Sequence, residues 1–449
     1  MCLNLPQYTQ LDDDQKRVYA LPFEGRNLIS GPPGTGKSVI AIHRAAAMAQ
    51  KGQLPTVLMF NKLLQLWTKK ALEEAGKMAQ LDKSSAEKLD TKTTEAWFKK
   101  WFLETFGVAA PTKEVALAPN RQIKTNRDNQ CAVCNRATSA NIDLAVVYSV
   151  APKKWYPVHE NCLPKLNQKM SANAYRSVDY QKCLEVAEPA MVSALKKARN
   201  LDVLIDEGQD LPLSAYQLLS EFCTSLTVYL DSAQTITEDK STEDEIIATL
   251  DIGKDRRQIL KKNYRNGKEV HQLAEKFRPG YLVVGDMPER KCTDIPKLIG
   301  LSSKEKESDW IATLAKNFSN LSIGVFVRTK DRRNSIAASL RENSIAFQVY
   351  NPDTRDQVFD PCKKGVTLAT QSNAKGLEFD IVVVAGMDEW PSDIPDYLYG
   401  LFYVLITRSR DRLFLSYVGN SKDDLPKMME SERFGRLIKE NLIRSEFQK

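Results

Sequence analysis

Short apolar runs ending in polar or glycine-rich residues recur along the chain, and helical periodicity fills the intervals between them. Asn27-Leu28-Ile29-Ser30 precedes a glycine-rich segment and then helix-like spacing from Val39 to Ala49. Thr56-Val57-Leu58-Met59-Phe60 has the unbroken apolar character of a strand buried on both faces, and a helical segment follows through Leu66, Trp67 and Leu72. Thr93 to Phe98 fits another strand-to-helix corner, with Trp97, Phe98, Trp101 and Phe102 at the helical spacing of packing residues. Leu201 to Ile205, Leu226 to Gln234, Gly324 to Thr329 and Ala346 to Tyr350 read as further strands, and Arg332 to Glu342 as a helix. The pattern predicts an α/β fold with parallel sheets. The rhythm is lost from about Phe106 to Ala194, which marks an insert.

Length and charge refine this. At 449 residues the chain exceeds one ordinary core, so two to four domains are expected. A 42% hydrophobic share beside 27% charged residues describes a soluble globular protein. Every apolar stretch is short and interrupted by charges, so no membrane partner is expected. Met1 to Asp14 lacks a basic region followed by an apolar one, which points to the cytoplasm. The net charge of +7 permits a polyanionic partner without requiring one. Eight cysteines in such a chain suggest metal ligands or free thiols rather than disulfides.

The most specific signal is Gly31-Pro32-Pro33-Gly34-Thr35-Gly36-Lys37-Ser38, set between strand and helix. Side-chain-free Gly34 and Gly36 let backbone N–H groups of the loop, Thr35 included, wrap a triphosphate at a helix N-terminus. Lys37 would reach the β- and γ-phosphates, and the Ser38 hydroxyl would ligate Mg²⁺, so ATP is the expected ligand. Upstream, Gln15 follows three aspartates; it either belongs to a helix N-terminus or reads the adenine edge with its amide. The strand Leu201–Ile205 ends in Asp206-Glu207-Gly208-Gln209-Asp210. Asp206 would hold Mg²⁺, and Glu207 would orient and deprotonate the attacking water. Gln234, at the end of its strand, is placed to sense a γ-phosphate. Phe60, with Asn61 and Lys62 behind it, either packs in the core or stacks a base while Lys62 holds a phosphate.

Within the insert, Cys131-Ala132-Val133-Cys134 is followed by His159-Glu160-Asn161-Cys162. Cys131, Cys134, His159 and Cys162 form a closed Cys₃His set suited to a structural Zn²⁺. Such an ion would fold a segment too small for a core of its own. Arg121, Lys124, Arg127, Arg136, Lys153 and Lys154 lie around it with Trp155 and Tyr156, which suits either a nucleic-acid contact or a solvated basic face.

Taken in order, Gln15, GPPGTGKS, FNK, DEGQD, LDSAQ and Asn263-Tyr264-Arg265 resemble the motifs of superfamily 1 helicases of the UvrD/Rep type. The likeness continues through Val327-Arg328-Thr329, Thr370 to Asp380 (containing Ala374-Lys375-Gly376-Leu377-Glu378) and Tyr403 to Arg410. It implies two RecA-like P-loop domains with ATP between them: residues 1–105 with 195–250, and residues 251–449, the insert being 106–194. By the same resemblance Tyr264 stacks on adenine, Glu378 meets the ribose, and Arg265 and Arg408 reach the γ-phosphate. Nucleic-acid contacts fall on Phe60, Asn61, Lys62, Thr93, Arg328 and Thr370. Arg328 has a second reading, in which it closes the sheet.

The chain departs from that pattern. Polar Thr235 to Asp239 stands where relatives carry a base-stacking Trp, and Glu95 and Ser372 stand in segments where relatives have His. The interval between Arg328 and Thr370 is too short for the helical subdomain of large relatives, and Tyr397 to Phe402 replaces their acidic-arginine run. The leading expectation is a nucleic-acid-dependent ATP hydrolase, a 3′→5′ translocase or helicase on single-stranded DNA or an ss/ds junction. The alternative is an ATP-gated DNA sensor or regulatory subunit with a protein partner, as in phage-defence or repair complexes.

Overall fold

In the computed structural model two parallel sheets organise most of the described residues. The residues described are 5–60, 62–87, 89–114, 129–130, 137–138, 145–148, 155–158, 176–197, 200–231, 241–278, 285–350, 359–360, 363–390, 396–419, 421, 425–426 and 432–448. The first sheet contains β1 (Gly25–Ser30), β2 (Pro55–Met59), β3 (Asp90–Thr93), β4 (Leu201–Ile205), β5 (Cys223–Leu230) and β6 (Arg257–Ile259). Its order is β6-β1-β5-β4-β2-β3, parallel throughout. Because β5 lies between β1 and β4, the segments leaving those three strands emerge side by side at one edge. Ligands bind at such an edge in open α/β sheets.

Helix α1 (Asp13–Ala20) precedes β1, α2 (Lys37–Gln50) follows it, and α3 (Lys62–Met78) links β2 to β3. Every residue of α2 from Ile40 to Ala49 is buried, a helix apolar nearly all round because it packs inside the unit rather than on its surface. Each fully buried Ile or Leu contributes about 1.5–3 kcal/mol of transfer free energy. Arg44 on the same helix is fully buried and donates to the carbonyls of Val18, Tyr19, Leu21 and Pro22, which ties α1 to α2. Residues 257–259 lie beyond the sequence boundary drawn at 250, yet β6 pairs with Leu28 to Ser30 as an edge strand of the first sheet.

The second sheet contains β7 (Lys297–Leu301), β8 (Ser322–Val327), β9 (Phe347–Tyr350), β10 (Gly365–Thr370), β11 (Phe379–Ala385), β12 (Ser409–Val418) and β13 (Arg444–Gln448). The order is β9-β10-β8-β11-β12-β7-β13, again parallel throughout. Helices α4 (Lys268–Glu275), α5 (Lys304–Asn317), α6 (Lys330–Glu342) and α7 (Asp396–Ile406) connect it. Two apolar clusters cover its faces, one including Phe326, Phe402 and Leu415, the other Ile311, Ile336 and Ile381. Arg332 on α6 is fully buried and meets Glu307 at 2.9 Å, Asp388 at 2.7 Å and Glu389 at 3.2 Å. One guanidinium thus pairs with three carboxylates and donates hydrogen bonds to two of them, Asp388 and Glu389.

Both sheets belong to one compact unit, Met1–Thr94 with Arg199–Lys449. The second unit is Glu95–Ala198, wider than the 106–194 insert expected from sequence. Its helix Thr94–Phe106 buries Phe98, Trp101 and Phe102, and the Phe98 ring meets Tyr180 at 4.7 Å. The aromatic residues read as packing therefore pack within this unit. Its short strands pair antiparallel, as in Ala145–Tyr148 with Trp155–Val158. Cys131, Cys134, His159 and Cys162 lie outside the described residues, as do Asn61 and Gln234. Among the described residues no helix is long and apolar enough to cross a membrane. The described cysteines Cys183, Cys223 and Cys292 are free thiols.

Candidate nucleotide site

The glycine-rich loop leaves β1 and becomes α2 at Lys37, with Gly36 as the N-cap. Gly34 and Gly36 hold φ of 79° and 88°, in the left-handed region that glycine enters without strain. Space forbids side chains there as well. A Cβ on Gly34 would come within 2.6 Å of both Asn263 Oδ1 and the Arg265 Cβ, and one on Gly36 within 2.6 Å of Gln15 Nε2. The loop is also braced from outside: Thr35 Oγ1 donates to the Pro32 carbonyl at 2.9 Å, and Gln15 Nε2 donates to the Thr35 carbonyl at 3.1 Å. The Gln15 Oε1 accepts from the Asp12 N–H while Asp12 caps the Gln15 N–H at 2.7 Å. Asp12 is therefore the N-cap of α1 and Gln15 its capping-box partner, with both ends of the Gln15 amide engaged on the cavity wall.

The loop borders a cavity of about 360 Å³. That falls in the size range of small-molecule sites. Its first wall carries Lys37, Ser38, Asp206, Glu207 and Asp231, which follow β1, β4 and β5; its second carries Tyr264, Arg265, Glu378, Arg408 and Arg410. The Ser38 hydroxyl donates to Asp206 Oδ2 at 2.5 Å, so the pair expected to hold a divalent cation is assembled. Lys37 Nζ donates to the Gly31 and Pro32 carbonyls at 2.6 and 3.0 Å. Burial lowers the Lys37 pKa, opposed by Asp231, Glu207 and Asp206 around it.

Asp206, buried, and Glu207, partly buried, are adjacent carboxylates with opposite tendencies. Burial, and then the charge of Glu207, push Asp206 up to about 6. Burial pushes Glu207 upward too, but Lys375, Lys37, the Gln209 amide and Arg408 outweigh it and hold its carboxyl below the ordinary value. Glu207 sits at φ 58° and ψ 43°, a left-handed conformation that costs a non-glycine residue roughly 1–2 kcal/mol. Gln209 fixes its carboxylate, donating to Glu207 Oε2 at 2.7 Å while accepting from the Asp231 N–H at 3.0 Å.

The second wall is threaded over the first. After β6 the chain crosses the loop, and the Tyr264 N–H donates to the Gly34 carbonyl at 2.8 Å. The Tyr264 phenol, half exposed, donates to the Asp12 carboxylate and so closes over the N-terminus of α1. Arg265 pairs with Glu378, and Arg410 lies 3.8 Å from the other Glu378 oxygen. Burial raises the Glu378 carboxyl, but Arg265, Arg410 and Arg408 together hold it below its ordinary value. Arg408 is buried; its guanidinium donates to the Val404 carbonyl at 2.9 Å and to Thr407 Oγ1 at 3.2 Å. Burial, then the neighbouring Arg265, lower its pKa to about 10.

The structure thus brings Gln15, Gly34, Gly36, Lys37, Ser38, Asp206, Glu207, Tyr264, Arg265, Glu378 and Arg408 to one cavity, with Thr35 in its loop. Four participants had no role assigned from sequence: Gln209, Asp231, Lys375 and Arg410. Lys375 reaches across from the second wall to Glu207 at 3.3 Å and also pairs with Asp210. Their motif strings were visible, but which of the polar residues face the site depends on strand order.

Of the residues expected to touch nucleic acid, the described ones (Phe60, Lys62, Thr93, Arg328 and Thr370) lie at or next to strand ends outside the cavity. Phe60, just past β2, is 40% exposed, so it is not a core residue. Lys62 opens α3, and Thr93 ends β3. Thr370 ends β10, and its hydroxyl accepts from Asn373 at 3.0 Å. Arg328 follows β8, is exposed, and donates to the Glu389 carbonyl.

Residues 365–416 match the family model of the UvrD-like helicase C-terminal domain. The matched segment runs from β10 to β12 and contains Lys375, Glu378, Arg408 and Arg410. No curated protein sequence matches the chain. A solved structure described as the C-terminal domain of a possible DNA helicase from Lactobacillus plantarum is 18% identical, with a TM-score of 0.30, covering 40% of this chain and 98% of that one. An S. cerevisiae Dbp5 variant bound to Nup159, a Gle1 variant, IP6 and ADP is 11% identical with a TM-score of 0.48, covering 98% of this chain and 92% of that one. Neither likeness is strong enough to bear on function.

Proposed function

We propose that this chain is a nucleic-acid-dependent ATPase of the superfamily 1, UvrD/Rep type, with two RecA-like lobes, acting on single-stranded DNA as a 3′→5′ translocase or helicase. One observation carries the proposal: the glycine-rich loop, the Ser38–Asp206 pair and Glu207 face Arg265, Glu378 and Arg408 across a single cavity. The helicase-type match over 365–416 supports the second wall independently.

The residues fit ATP with Mg²⁺. The left-handed glycines Gly34 and Gly36 give the loop the backbone shape of a phosphate cradle, and Ser38 with Asp206 supplies the oxygen donors that Mg²⁺ requires. The ion, when bound, would neutralise charge on the β- and γ-phosphates. Lys37 turns from its loop carbonyls to the phosphates. Glu207 accepts the proton of a water whose oxygen bonds to the γ-phosphorus as the bond to the β–γ bridging oxygen breaks, leaving ADP and inorganic phosphate. Arg265 and Arg408 stabilise charge on the transferring group, while Tyr264 and Gln15 flank the base and Glu378 the ribose. Gln234 as γ-phosphate sensor, and Phe60, Asn61, Lys62, Thr93, Arg328 and Thr370 as the nucleic-acid track, complete the reading. Zn²⁺ held by Cys131, Cys134, His159 and Cys162 belongs to it as a structural element of the insert.

The test is steady-state ATP turnover with no nucleic acid, single-stranded DNA, duplex DNA and RNA, beside Glu207→Gln. Single-stranded DNA should raise turnover several-fold, and the variant should lose 10²–10⁴-fold of it. Turnover indifferent to every nucleic acid would refute the motor reading.

A second reading, an ATP-gated sensor or regulatory subunit of a larger complex, is favoured by one observation. Between β8 and β10 the described chain holds only α6 and β9, where large relatives carry a whole subdomain. It predicts nucleotide-dependent partner binding with little unwinding, and robust unwinding of long duplexes by the isolated chain would exclude it.

A further inference from the structure

Lys375 joins three groups with different duties. Its buried ammonium pairs with Glu207 at 3.3 Å and with Asp210, and it lies 5.4 Å from the centre of the Phe60 ring. Glu207 is the acid-base group of the ATPase reading, and Phe60 is the exposed aromatic at the expected nucleic-acid edge. Asp210 is nearly inaccessible. Asp210 therefore anchors Lys375 whatever happens elsewhere, while the contacts to Glu207 and Phe60 are the ones that can change.

We propose that Lys375 is a positioning residue that restrains Glu207 in the resting cleft, and that a nucleobase stacking on Phe60 draws it away. An ammonium over a ring face and a base stacked on that face compete for the same surface. The phosphate attached to such a base adds negative charge beside the ammonium, while Asp210 keeps Lys375 from being left buried and unpaired. Glu207, relieved of its cationic partner, keeps its hydrogen bond from Gln209 and can turn toward the attacking water. The chain has Glu95 and Ser372 in two segments where UvrD/Rep relatives have histidine. Lys375 supplies a physical link from nucleic acid to hydrolysis that does not need them. The inference rests on the ATPase reading above.

The experiment uses the full chain with oligothymidylate as the single-stranded probe. ATP turnover, resolved into kcat and KM, is measured for wild type, Lys375→Met, Lys375→Arg, Phe60→Ala and the Phe60→Ala/Lys375→Met pair. In Lys375→Met the nucleic-acid-free rate should rise toward the stimulated wild-type rate, and the stimulation ratio should collapse to unity. The gain should fall on kcat, with KM for ATP little changed. Lys375→Arg should retain stimulation. Phe60→Ala should lose stimulation, and the double variant should match Lys375→Met. Depressed turnover with an unchanged ratio would overturn the proposal and make Lys375 merely structural, as would independent effects of the two substitutions. If Lys375→Met does not fold, Phe60→Ala with full stimulation overturns it alone. Failures separate cleanly. A stimulated wild type with an unchanged ratio in Lys375→Met refutes this inference and leaves the ATPase reading standing. A wild type deaf to nucleic acid refutes the motor reading and the Phe60 step, while a raised basal rate in Lys375→Met would still support the restraint on Glu207.

Discussion

Replacing Asp206 with Asn separates what the site costs the fold from what it does. The Asp206 carboxyl, ordinarily near 3.8, is pushed up to about 6 by burial and by the charge of Glu207. At 1.36 kcal/mol per unit, a rise from 3.8 to about 6 corresponds to roughly 3 kcal/mol. The sign follows from the raised folded-state value. The protonated form is the one the fold prefers, so this contribution is fully present below the ordinary value and is lost as pH rises through about 6. Above that, an ionised Asp206 burdens the fold. An Asn amide has the same shape, never ionises, and can still accept the Ser38 hydroxyl. Urea unfolding in chelator should therefore find Asp206→Asn more stable than wild type by about 1–3 kcal/mol at pH 8. The gap should shrink at pH 5, where wild type is largely protonated at this position. Added Mg²⁺ should stabilise wild type and not the variant, by ligand linkage, and ATP turnover in the variant should be lost. A variant destabilised equally at both pH values would refute the reasoning and make the Ser38–Asp206 bond a plain structural contact.

The remaining expectations concern other parts of the molecule. Gly34→Ala must adopt a left-handed φ and press against Asn263 and Arg265, so nucleotide affinity measured by calorimetry should fall by about 1–2 kcal/mol or more; unchanged affinity would mean the loop yields freely. Arg332→Ala leaves Glu307, Asp388 and Glu389 without their shared guanidinium, and urea unfolding should show a loss of about 3–5 kcal/mol. Protein purified without added metal should contain zinc, and Cys134→Ser with Cys162→Ser should remove it; metal-free wild type would end the Cys₃His proposal.

How legible the fold was depended on how local its determinants are. Leu201–Ile205 was read with its final boundaries because an apolar strand is cut off sharply by Asp206 and Glu207. The helix after the glycine-rich loop begins at Lys37 rather than Val39, since the loop itself forms the N-terminus. Strand order was beyond reach: it is set by crossovers between distant segments, and it decides that Asp231 faces the cavity and that Gln209 bridges it to Glu207. Lys375 escaped for the same reason, as its partners Glu207 and Asp210 lie 168 and 165 positions away. Arg328 had two readings in the sequence, and its exposure with a bond to the Glu389 carbonyl places it at the sheet's rim. The edge strand β6 was missed because three residues, Arg257, Gln258 and Ile259, carry too little alternation to register.

The two walls of the cavity are also far apart in time. Ser38 is made 370 residues before Arg408 (408 − 38 = 370). At about 5–20 residues per second of synthesis, the glycine-rich loop waits roughly 20–75 s for that arginine. During that interval a nascent first sheet can form its phosphate cradle and the Ser38–Asp206 pair, but it has no Glu378, Arg408 or Lys375 opposite. A nucleotide captured then would be held from one side only, as a folding ligand rather than a substrate. Synthesis of the last quarter of the chain converts that holdfast into a closed reaction chamber.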